Sequence, residues 1–350
     1  MTQPTHRLSA AVSIAAVFGA AGSAFAQALP SAIVDCASIA LDSERLACYD
    51  RAAGRAPSAT GAEKPASSGV LPSLAERAES AAGALRAPAS LIDAAWGFDK
   101  GSNPYIIDLY NQNYLLVARY TDHVNTTPFQ PLFQAAGKPE NLDNTEAKFQ
   151  ISFKLRLWTT EDRRWGVWAA YTQQSQWQVY NGDTSRPFRD TNYMPELFVS
   201  YKPDIDLGGG FKWNLLNVGY NHQSNGRSDV LSRSWDRIIA TFGFERDNFA
   251  LLAKAWYAFN YKDDNPNITD YYGYGSLTGI YKWRDNSFSL MARGNLSKGK
   301  GAAELTWMSP RLLGPLRLYV QGFTGYGESL IDYNWNQSTI GAGIALNDAL

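Results

Sequence analysis

Apolar and polar residues alternate along most of the chain after about Asn103, and the clearest example lies between positions 147 and 157. The apolar positions Ala147, Phe149, Ile151, Phe153, Leu155 and Leu157 alternate there with Lys148, Gln150, Ser152, Lys154 and Arg156. Period-two alternation over this length predicts a β-strand with one apolar and one polar face. A soluble β-sandwich also alternates, but its strands are usually shorter. Strands of about 9 to 11 residues suit a tilted membrane crossing.

The same reasoning predicts an all-β fold, a twelve-stranded antiparallel transmembrane β-barrel. The expected strands begin near Asn113, Ala147, Trp165, Pro195, Trp213, Ser234, Phe249, Tyr271, Ser287, Ala302, Leu316 and Asn336. Short turns around Asp247 and Asp285 alternate with long loops from Thr121 to Thr145 and from Tyr180 to Met194. Because short turns of such barrels are periplasmic and long loops are external, we expect the strand from Trp213 to end outside the cell, near Ser224.

The N-terminal 26 residues have the pattern of a secretory signal peptide. An apolar run from Leu8 to Ala20 follows Arg7, and Ala24-Phe25-Ala26 fits a cleavage site. No later stretch reaches about 18 apolar residues, so we expect no transmembrane helix in the mature chain. The expected organisation is a signal peptide over residues 1–26, a periplasmic cysteine-containing segment and linker over 27–100, and an outer-membrane barrel over 101–350.

The expected periplasmic segment contains the only two cysteines of the chain, Cys36 and Cys48. Disulfides persist in that compartment, but the sequence leaves open whether the pair is bridged or forms two free thiols. Pro, Ser, Gly and Ala crowd Arg55 to Pro72, which favours a flexible linker. An Ala-rich pattern from Leu74 to Ala95 favours a helix.

Composition supports a barrel and excludes one class of partner. The chain has 11 Trp, 19 Tyr, 16 Phe and 29 Gly, with a slightly negative mean hydropathy. Barrels have such compositions because lipid-facing and lumen-facing residues alternate while aromatic residues collect at the membrane interfaces. The net charge of −1 gives no indication of nucleic-acid binding.

Strand parity predicts a polar cluster on the outer wall of the barrel. Leu216, Val218 and Tyr220 form the apolar face of one strand, and His222 and Ser224 continue their parity. On the next strand Asp236 shares the parity of the apolar residues Ile238, Ala240, Phe242 and Phe244. If the hairpin turns symmetrically about Asp229, position 236 lies beside position 222.

This cluster could supply a serine nucleophile, a histidine base and a carboxylate that orients the imidazole. Gly226 could bring a backbone N–H close to a developing oxyanion. The alternative is that His222 and Asp236 are interface residues of a plain barrel. Polar groups on lipid-facing positions are costly, which weakens that alternative. The other histidine of the mature chain, His123, lies in a long polar loop, and we expect it to be solvated.

The residues from His222 to Asp229, His-Gln-Ser-Asn-Gly-Arg-Ser-Asp, followed by Ser232-Arg-Ser-Trp-Asp236, resemble the signature of outer-membrane phospholipase A. Supporting stretches are Tyr171-Thr-Gln-Gln174, Arg186-Pro-Phe-Arg-Asp-Thr-Asn-Tyr193, Asp263-Asp-Asn-Pro266 and Gly325-Tyr-Gly-Glu-Ser-Leu-Ile-Asp-Tyr333. The similarity covers about Asn103 to Leu350. It implies a calcium-dependent esterase acting on phospholipids of the outer leaflet of the outer membrane, active as a homodimer.

The resemblance also implies residue roles. Ser224 would be the nucleophile and His222 the base, with Asp236 in the place of a residue that is usually Asn in the family. The implied calcium positions are the Arg227 carbonyl and Ser232 on one subunit, Ser185 on the other, and Asp229 and Asp264 at a second, weaker site. Gln173 matches a glutamine of the membrane-embedded dimer interface, where an unpaired amide is expensive.

The sequence therefore predicts a carboxylic ester hydrolase with phospholipase A and lysophospholipase activity. Two other functions stay open at this point. A non-enzymatic pore or structural barrel would conduct ions or only span the membrane, and would ignore both Ser224 and calcium. An outer-membrane peptidase is disfavoured because the catalytic residues are expected to face lipid.

Overall fold

The computed structural model describes residues 36, 38–39, 41–52, 90–137 and 141–350. The chain divides into two compact units, Met1–Arg77 and Ala78–Leu350. The described part of the smaller unit contains the helix Asp42–Ala52 and a disulfide between Cys36 and Cys48. The structure thus selects the bridge over two free thiols. The predicted signal peptide and linker, and residues 74–89 of the predicted helix, lie outside the described residues.

Fourteen strands occur in the described part of the larger unit. They are β1 (Ile107–Leu109), β2 (Asn113–Thr121), β3 (Thr145–Thr159), β4 (Trp165–Trp177), β5 (Phe188–Tyr201), β6 (Ile205–Gly208), β7 (Phe211–Ser224), β8 (Ser234–Arg246), β9 (Phe249–Phe259), β10 (Gly275–Trp283), β11 (Asn286–Asn295), β12 (Lys300–Leu313), β13 (Leu316–Tyr326) and β14 (Asn336–Asn347). All except the short β1 and β6 form one closed antiparallel barrel, in which β14 pairs with β2. The predicted twelve-stranded barrel is confirmed.

Short helices accompany the strands. They are the α-helices Leu91–Trp96, Gln130–Ala136 and Ile268–Tyr272 and the 3-10 helices Thr127–Phe129, Asp229–Leu231 and Leu296–Lys298. Among the described residues, no helix has the length and apolarity needed to span a membrane. One end of the barrel has the short β8–β9 and β10–β11 turns, and the other end has longer connections such as residues 122–144 and 327–335.

Strand β3 shows how the two faces of the wall are divided. Ile151, Phe153 and Leu157 are 53%, 42% and 45% exposed on the outer face. Lys148 and Arg156, of the opposite parity, are buried in the lumen. The predicted alternation is therefore confirmed, with the apolar face outside and the polar face inside.

The polar lumen is filled by paired charges. Arg119 binds Glu146, with 2.7 Å between Nη1 and Oε1, and also binds Glu328. Lys148 Nζ lies 3.0 Å from Glu328 Oε1, and Arg189 binds Glu146 at 2.9 Å. All five side chains are almost completely buried. Burial opposes the ionised form of Glu328, but Arg119 and Lys148 outweigh that effect and hold its pKa well below the ordinary value.

The helix Leu91–Trp96 packs against the lumen side of the wall at the end with short turns. Trp96 makes edge-to-face contacts with Trp168 and Phe198, at centroid distances of 6.0 and 5.8 Å. Lys154 donates from Nζ to the Ala95 carbonyl at 2.6 Å. This helix therefore belongs with the barrel, although its residues fall within the range expected for the periplasmic segment.

Two predicted strand starts were wrong. Strand β5 begins at Phe188, well before Pro195, because the polar residues Asp190 and Asn192 point into the lumen and hold residues 327–335. The expected start at Tyr271 lies in the helix Ile268–Tyr272, and β10 begins at Gly275. Packing of Ile268 and Tyr272 against Trp235 and Trp256 inside the barrel stabilises that helix.

Glu328→Gln should destabilise the barrel by about 3 kcal/mol at neutral pH, because it leaves Arg119 and Lys148 buried with too little negative charge. Because the pKa of Glu328 is depressed in the folded barrel, the side chain contributes its full stabilisation at pH values above its unfolded-state pKa of about 4.3. This stabilisation is lost as the pH falls toward the folded-state pKa. Denaturant midpoints in detergent at pH 7 and at lower pH check this. The exposed Glu161 provides the control Glu161→Gln, and equal midpoints for the two variants would contradict the prediction.

Candidate active site on the outer wall

The pairing of β7 with β8 brings the predicted polar residues together. His222 lies directly opposite Asp236, and Ser224 lies opposite Ser234. On the same outer face, Val218 and Ile238 are 45% and 43% exposed. The register and the outward parity predicted for the hairpin are confirmed, so the cluster is on the lipid-facing wall of the barrel.

The Asp236 carboxylate is held by hydrogen bonds from three neighbouring side chains. Oδ1 lies 2.7 Å from His222 Nδ1 and accepts from the Tyr220 hydroxyl at 2.7 Å. Oδ2 accepts from the Asn260 amide nitrogen at 2.8 Å. With Asp236 ionised, Nδ1 of the imidazole is the donor, which leaves Nε2 able to accept a proton.

Ser224 is the last residue of β7 and is half-buried. It pairs with Tyr193 of β5 on one side and with Ser234 on the other. Within the described part of the chain its hydroxyl makes no hydrogen bond, so the contact with His222 is not formed here. The contact between a nucleophile and its base is often loose without substrate.

Gly226 occupies a backbone position that a larger residue would strain. Its φ is +62°, and an added Cβ would lie 3.0 Å from Cε2 of the Tyr193 ring. The left-handed backbone and the close aromatic ring therefore both favour glycine at this position. It lies two residues after Ser224, the position at which the sequence analysis expects an oxyanion donor.

Asn225 organises the loop that follows Ser224, and the sequence analysis did not identify it. Its amide nitrogen donates to the Leu231 carbonyl at 2.8 Å and to Asp190 Oδ1 at 3.3 Å. Its oxygen accepts from the Arg233 backbone N–H at 2.9 Å. An Asn before a Gly is a turn signal that could have indicated this role. The hydrogen bond to Asp190 could not be predicted from the sequence, because only the folded barrel brings positions 190 and 225 together.

The expected calcium ligands lie in three loops. Arg227, Asp229 and Ser232 lie in the loop between β7 and β8. Arg227 and Asp229 line a cleft of about 530 Å³ together with Gly226. Within the described residues, neither the Arg227 carbonyl oxygen nor the Ser232 hydroxyl has a hydrogen-bond partner. These two oxygen atoms are suitable ligands for a hard cation such as calcium.

The two remaining expected ligands, Asp264 and Ser185, lie in two other loops. Asp264 accepts from the Ser234 hydroxyl at 2.7 Å, in the loop after β9. Ser185 is exposed in the loop between β4 and β5, with a φ of +62°. No group of three or more His, Cys, Asp or Glu side chains suited to a metal occurs in the described residues.

Gln173 and His123 lie apart from the catalytic cluster. Gln173, on β4, accepts from the Tyr171 hydroxyl at 3.1 Å and donates to the Ser175 hydroxyl at 3.3 Å. Its amide is thus partly satisfied within one chain. His123 is exposed next to Asp122, in agreement with its predicted solvation.

These observations define a class of protein, a membrane β-barrel with a hydrolase-type polar cluster on its outer wall. A family model described as Phospholipase A1 matches residues 95–346. Phospholipase A1 of Escherichia coli K12 is 41% identical over 249 residues, which cover 70% of this chain and 83% of that protein. A putative phospholipase A1 of Neisseria meningitidis is 35% identical over 359 residues, covering 92% and 93%.

Solved structures agree with the sequence matches. The outer membrane phospholipase A of Escherichia coli has a TM-score of 0.64 at 38% identity, covering 69% of this chain and 94% of that one. A dimer of the Salmonella typhi outer membrane phospholipase with bound calcium has a TM-score of 0.65 at 37% identity, covering 71% and 94%. The chain belongs to the phospholipase A1 family. It is an outer-membrane carboxylic ester hydrolase.

Asn225→Ala should loosen the loop between β7 and β8, because it removes hydrogen bonds that hold the loop to itself and to Asp190. Trypsin should then cleave after Arg227 or Arg233 several-fold faster than in the wild type, as measured by mass spectrometry of the folded barrel. The control is Asn286→Ala, at the opposite end of the barrel. Unchanged cleavage rates would show that Asn225 does not organise the loop.

Proposed function

We propose that the chain hydrolyses acyl esters of phospholipids in the outer leaflet of the outer membrane, with calcium, as a homodimer. The observation that carries the proposal is the His222–Asp236 pair beside Ser224 on the lipid-facing wall. An acyl ester in the membrane can reach this wall without entering the barrel. The chemistry would include phospholipase A and lysophospholipase activity.

The proposed mechanism uses an acyl-serine intermediate. Nε2 of His222 takes the Ser224 proton while Oγ attacks the ester carbonyl carbon, and the Gly226 N–H donates to the oxyanion. Attack gives a tetrahedral adduct, and its collapse breaks the bond between the carbonyl carbon and the alcohol oxygen, which leaves the acyl group on Ser224 while the imidazolium gives its proton to the leaving alcohol. Water then repeats the sequence and releases the fatty acid. Asp236 orients the imidazole and stabilises its charged form.

Calcium fits the loop beside this site. Arg227, through its carbonyl, and Ser232 would hold the ion together with Ser185 of a second subunit, and Asp229 and Asp264 would form a second, weaker site. When bound, calcium would supply positive charge near the oxyanion. The calcium-bound dimer of the similar Salmonella typhi enzyme supports this part of the proposal.

The dimer is proposed to form on the face that contains Gln173. Its neighbours on β4, Tyr171 and Ser175, share its outward parity and already take part in its hydrogen bonds. A row of hydrogen-bonded polar side chains on a lipid-facing wall is more stable when a second polar surface covers it. The alternative function, that of a pore, is disfavoured because buried ion pairs such as Arg119–Glu146 fill the lumen.

Ser224→Ala should abolish fatty-acid release from mixed micelles while leaving a folded, heat-resistant barrel, because the hydroxyl is the nucleophile and contributes little to strand pairing. Ser234→Ala, directly opposite on β8, is a matched control that should keep most of the activity. Hydrolysis that persists in the Ser224 variant would exclude this serine as the nucleophile.

Activity should require calcium and should rise with protein concentration in detergent, because the ligand set is completed by Ser185 of a second subunit. Ser185→Ala should raise the calcium concentration needed for half-maximal activity by about 10-fold or more. Calcium titrations at two protein concentrations, with cross-linking, measure both effects. A monomer that works at the full rate in the presence of chelator would contradict them.

Asp236→Asn should shift the acid limb of the pH–rate profile to lower pH. An ionised carboxylate favours the protonated imidazole, and the base must be neutral to accept the serine proton. Substantial activity should remain, because Asn can still orient the ring. The test is a profile measured with saturating calcium. An unmoved limb, or a loss of about 10⁴-fold as in a soluble serine protease, would disprove this account of the charge.

A further inference from the structure

Asn260 contacts the catalytic cluster from a third strand. It follows the last residue of β9, and its amide nitrogen lies 2.8 Å from Asp236 Oδ2. A carboxylate can only accept, so the amide nitrogen must face it. Within the described residues this is the only side-chain hydrogen bond of Asn260, and no other side chain binds Oδ2.

The backbone of Asn260 is what allows this contact. Phe259 is the residue that pairs with Asp236 across the β8–β9 ladder. In a regular strand the next side chain would point to the opposite face of the wall. Asn260 instead has a φ of +50°, a left-handed conformation that Asn tolerates better than most residues. The turn away from the strand brings its side chain back to the outer face.

The three donors to Asp236 have different consequences for its orientation. His222 and Tyr220 both donate to Oδ1, so these two bonds restrain the carboxylate through one of its oxygens only. A donor on Oδ2 restrains the other oxygen and fixes the plane of the carboxylate relative to the imidazole. Asn260 also satisfies a charged oxygen close to lipid, where an unpaired charge would be costly.

We propose that Asn260 is a positioning residue for ester hydrolysis, acting through Asp236 on the imidazole of His222. This inference rests on the function proposed above. It also accounts for the presence of Asp at position 236. An Asn there would offer a single acceptor oxygen, and its NH₂ group would face the NH₂ group of Asn260.

The experiment compares kcat and KM for fatty-acid release by the full chain in detergent with saturating calcium. Asn260→Gly keeps the left-handed backbone and removes the donor. We expect kcat to fall about five-fold, the effect of one hydrogen bond, with KM within about two-fold because Asn260 acts through Asp236. Asp247→Gly, which has a similar φ of +50° in the β8–β9 turn, should behave as the wild type.

Two further variants separate positioning from a purely structural role. Asn260→Asp keeps the size and the backbone preference but places a second carboxylate against Oδ2, so it should be less active than Asn260→Gly. In an Asp236→Asn background, Asn260→Gly should lower kcat by less than about two-fold, because the acceptor oxygen is already gone. If Asn260 had only a structural role, Asn260→Asp should be more active than Asn260→Gly. Asn260→Gly should then also lower kcat by the same factor whether position 236 is Asp or Asn.

The outcomes for the two proposals are distinguishable. If the wild type releases no fatty acid in a Ser224-dependent manner, the proposed function fails. If the wild type is active and Asn260→Gly matches it, or Asn260→Asp retains more activity than Asn260→Gly, the positioning role is overturned. Gel mobility before and after heating confirms that each variant is a folded barrel.

Discussion

The antiparallel pairing of β7 with β8 places His222 opposite Asp236 and carries Ser224 to the outer rim of the wall. Because side chains alternate with period two, a slip of one residue in β7 would turn both His222 and Ser224 into the lumen and leave Asp236 outside. The apolar residues on the outer face of β7 resist such a slip, since Val218 would then be forced among the buried polar side chains of the lumen. The same hydrophobic alternation that holds the barrel in the membrane therefore also keeps His222 opposite Asp236.

The lumen supports the site from behind. Residues 327–335 fold into the barrel, where Glu328 binds Arg119 and Lys148, and the Ile331 N–H donates to Asp190 at 3.1 Å. Asp190 also accepts from Asn225, the residue after Ser224. A chain of buried polar contacts thus runs from the centre of the barrel to the loop that follows Ser224. Such fully bonded networks are rigid because each broken contact leaves a buried polar group without a partner.

A carboxylate on the lipid-facing wall is costly, and its neighbours show how the cost is offset. Asp236 is 9% exposed and accepts three hydrogen bonds, from β7 and from the residue after β9. Hydrogen bonds to a charged group are stronger than those between neutral groups. The carboxylate is therefore retained close to the imidazole, as the proposed mechanism requires. The Tyr220 ring packs against Phe259, at a centroid distance of 6.4 Å, and its hydroxyl donates to Oδ1 of Asp236.

The alternation of residue types by itself determined the all-β barrel, the number of strands, the faces of β3, β7 and β8, and the pairing of position 222 with position 236. These properties depend on the alternation of side chains within a strand and on the hairpin between two consecutive strands, so they are local or nearly local in sequence. Only the tertiary structure decided the early start of β5 at Phe188, the disulfide, the lumen helix Leu91–Trp96 and the roles of Asn225 and Asn260. The disulfide joins two cysteines 12 residues apart. The other features depend on partners more distant in sequence: residues 327–335 for β5, Trp168 and Phe198 for the helix, Asp190 for Asn225, and Asp236 for Asn260. A hydrogen bond between residues brought together by closure of the barrel leaves no periodic signal in either segment.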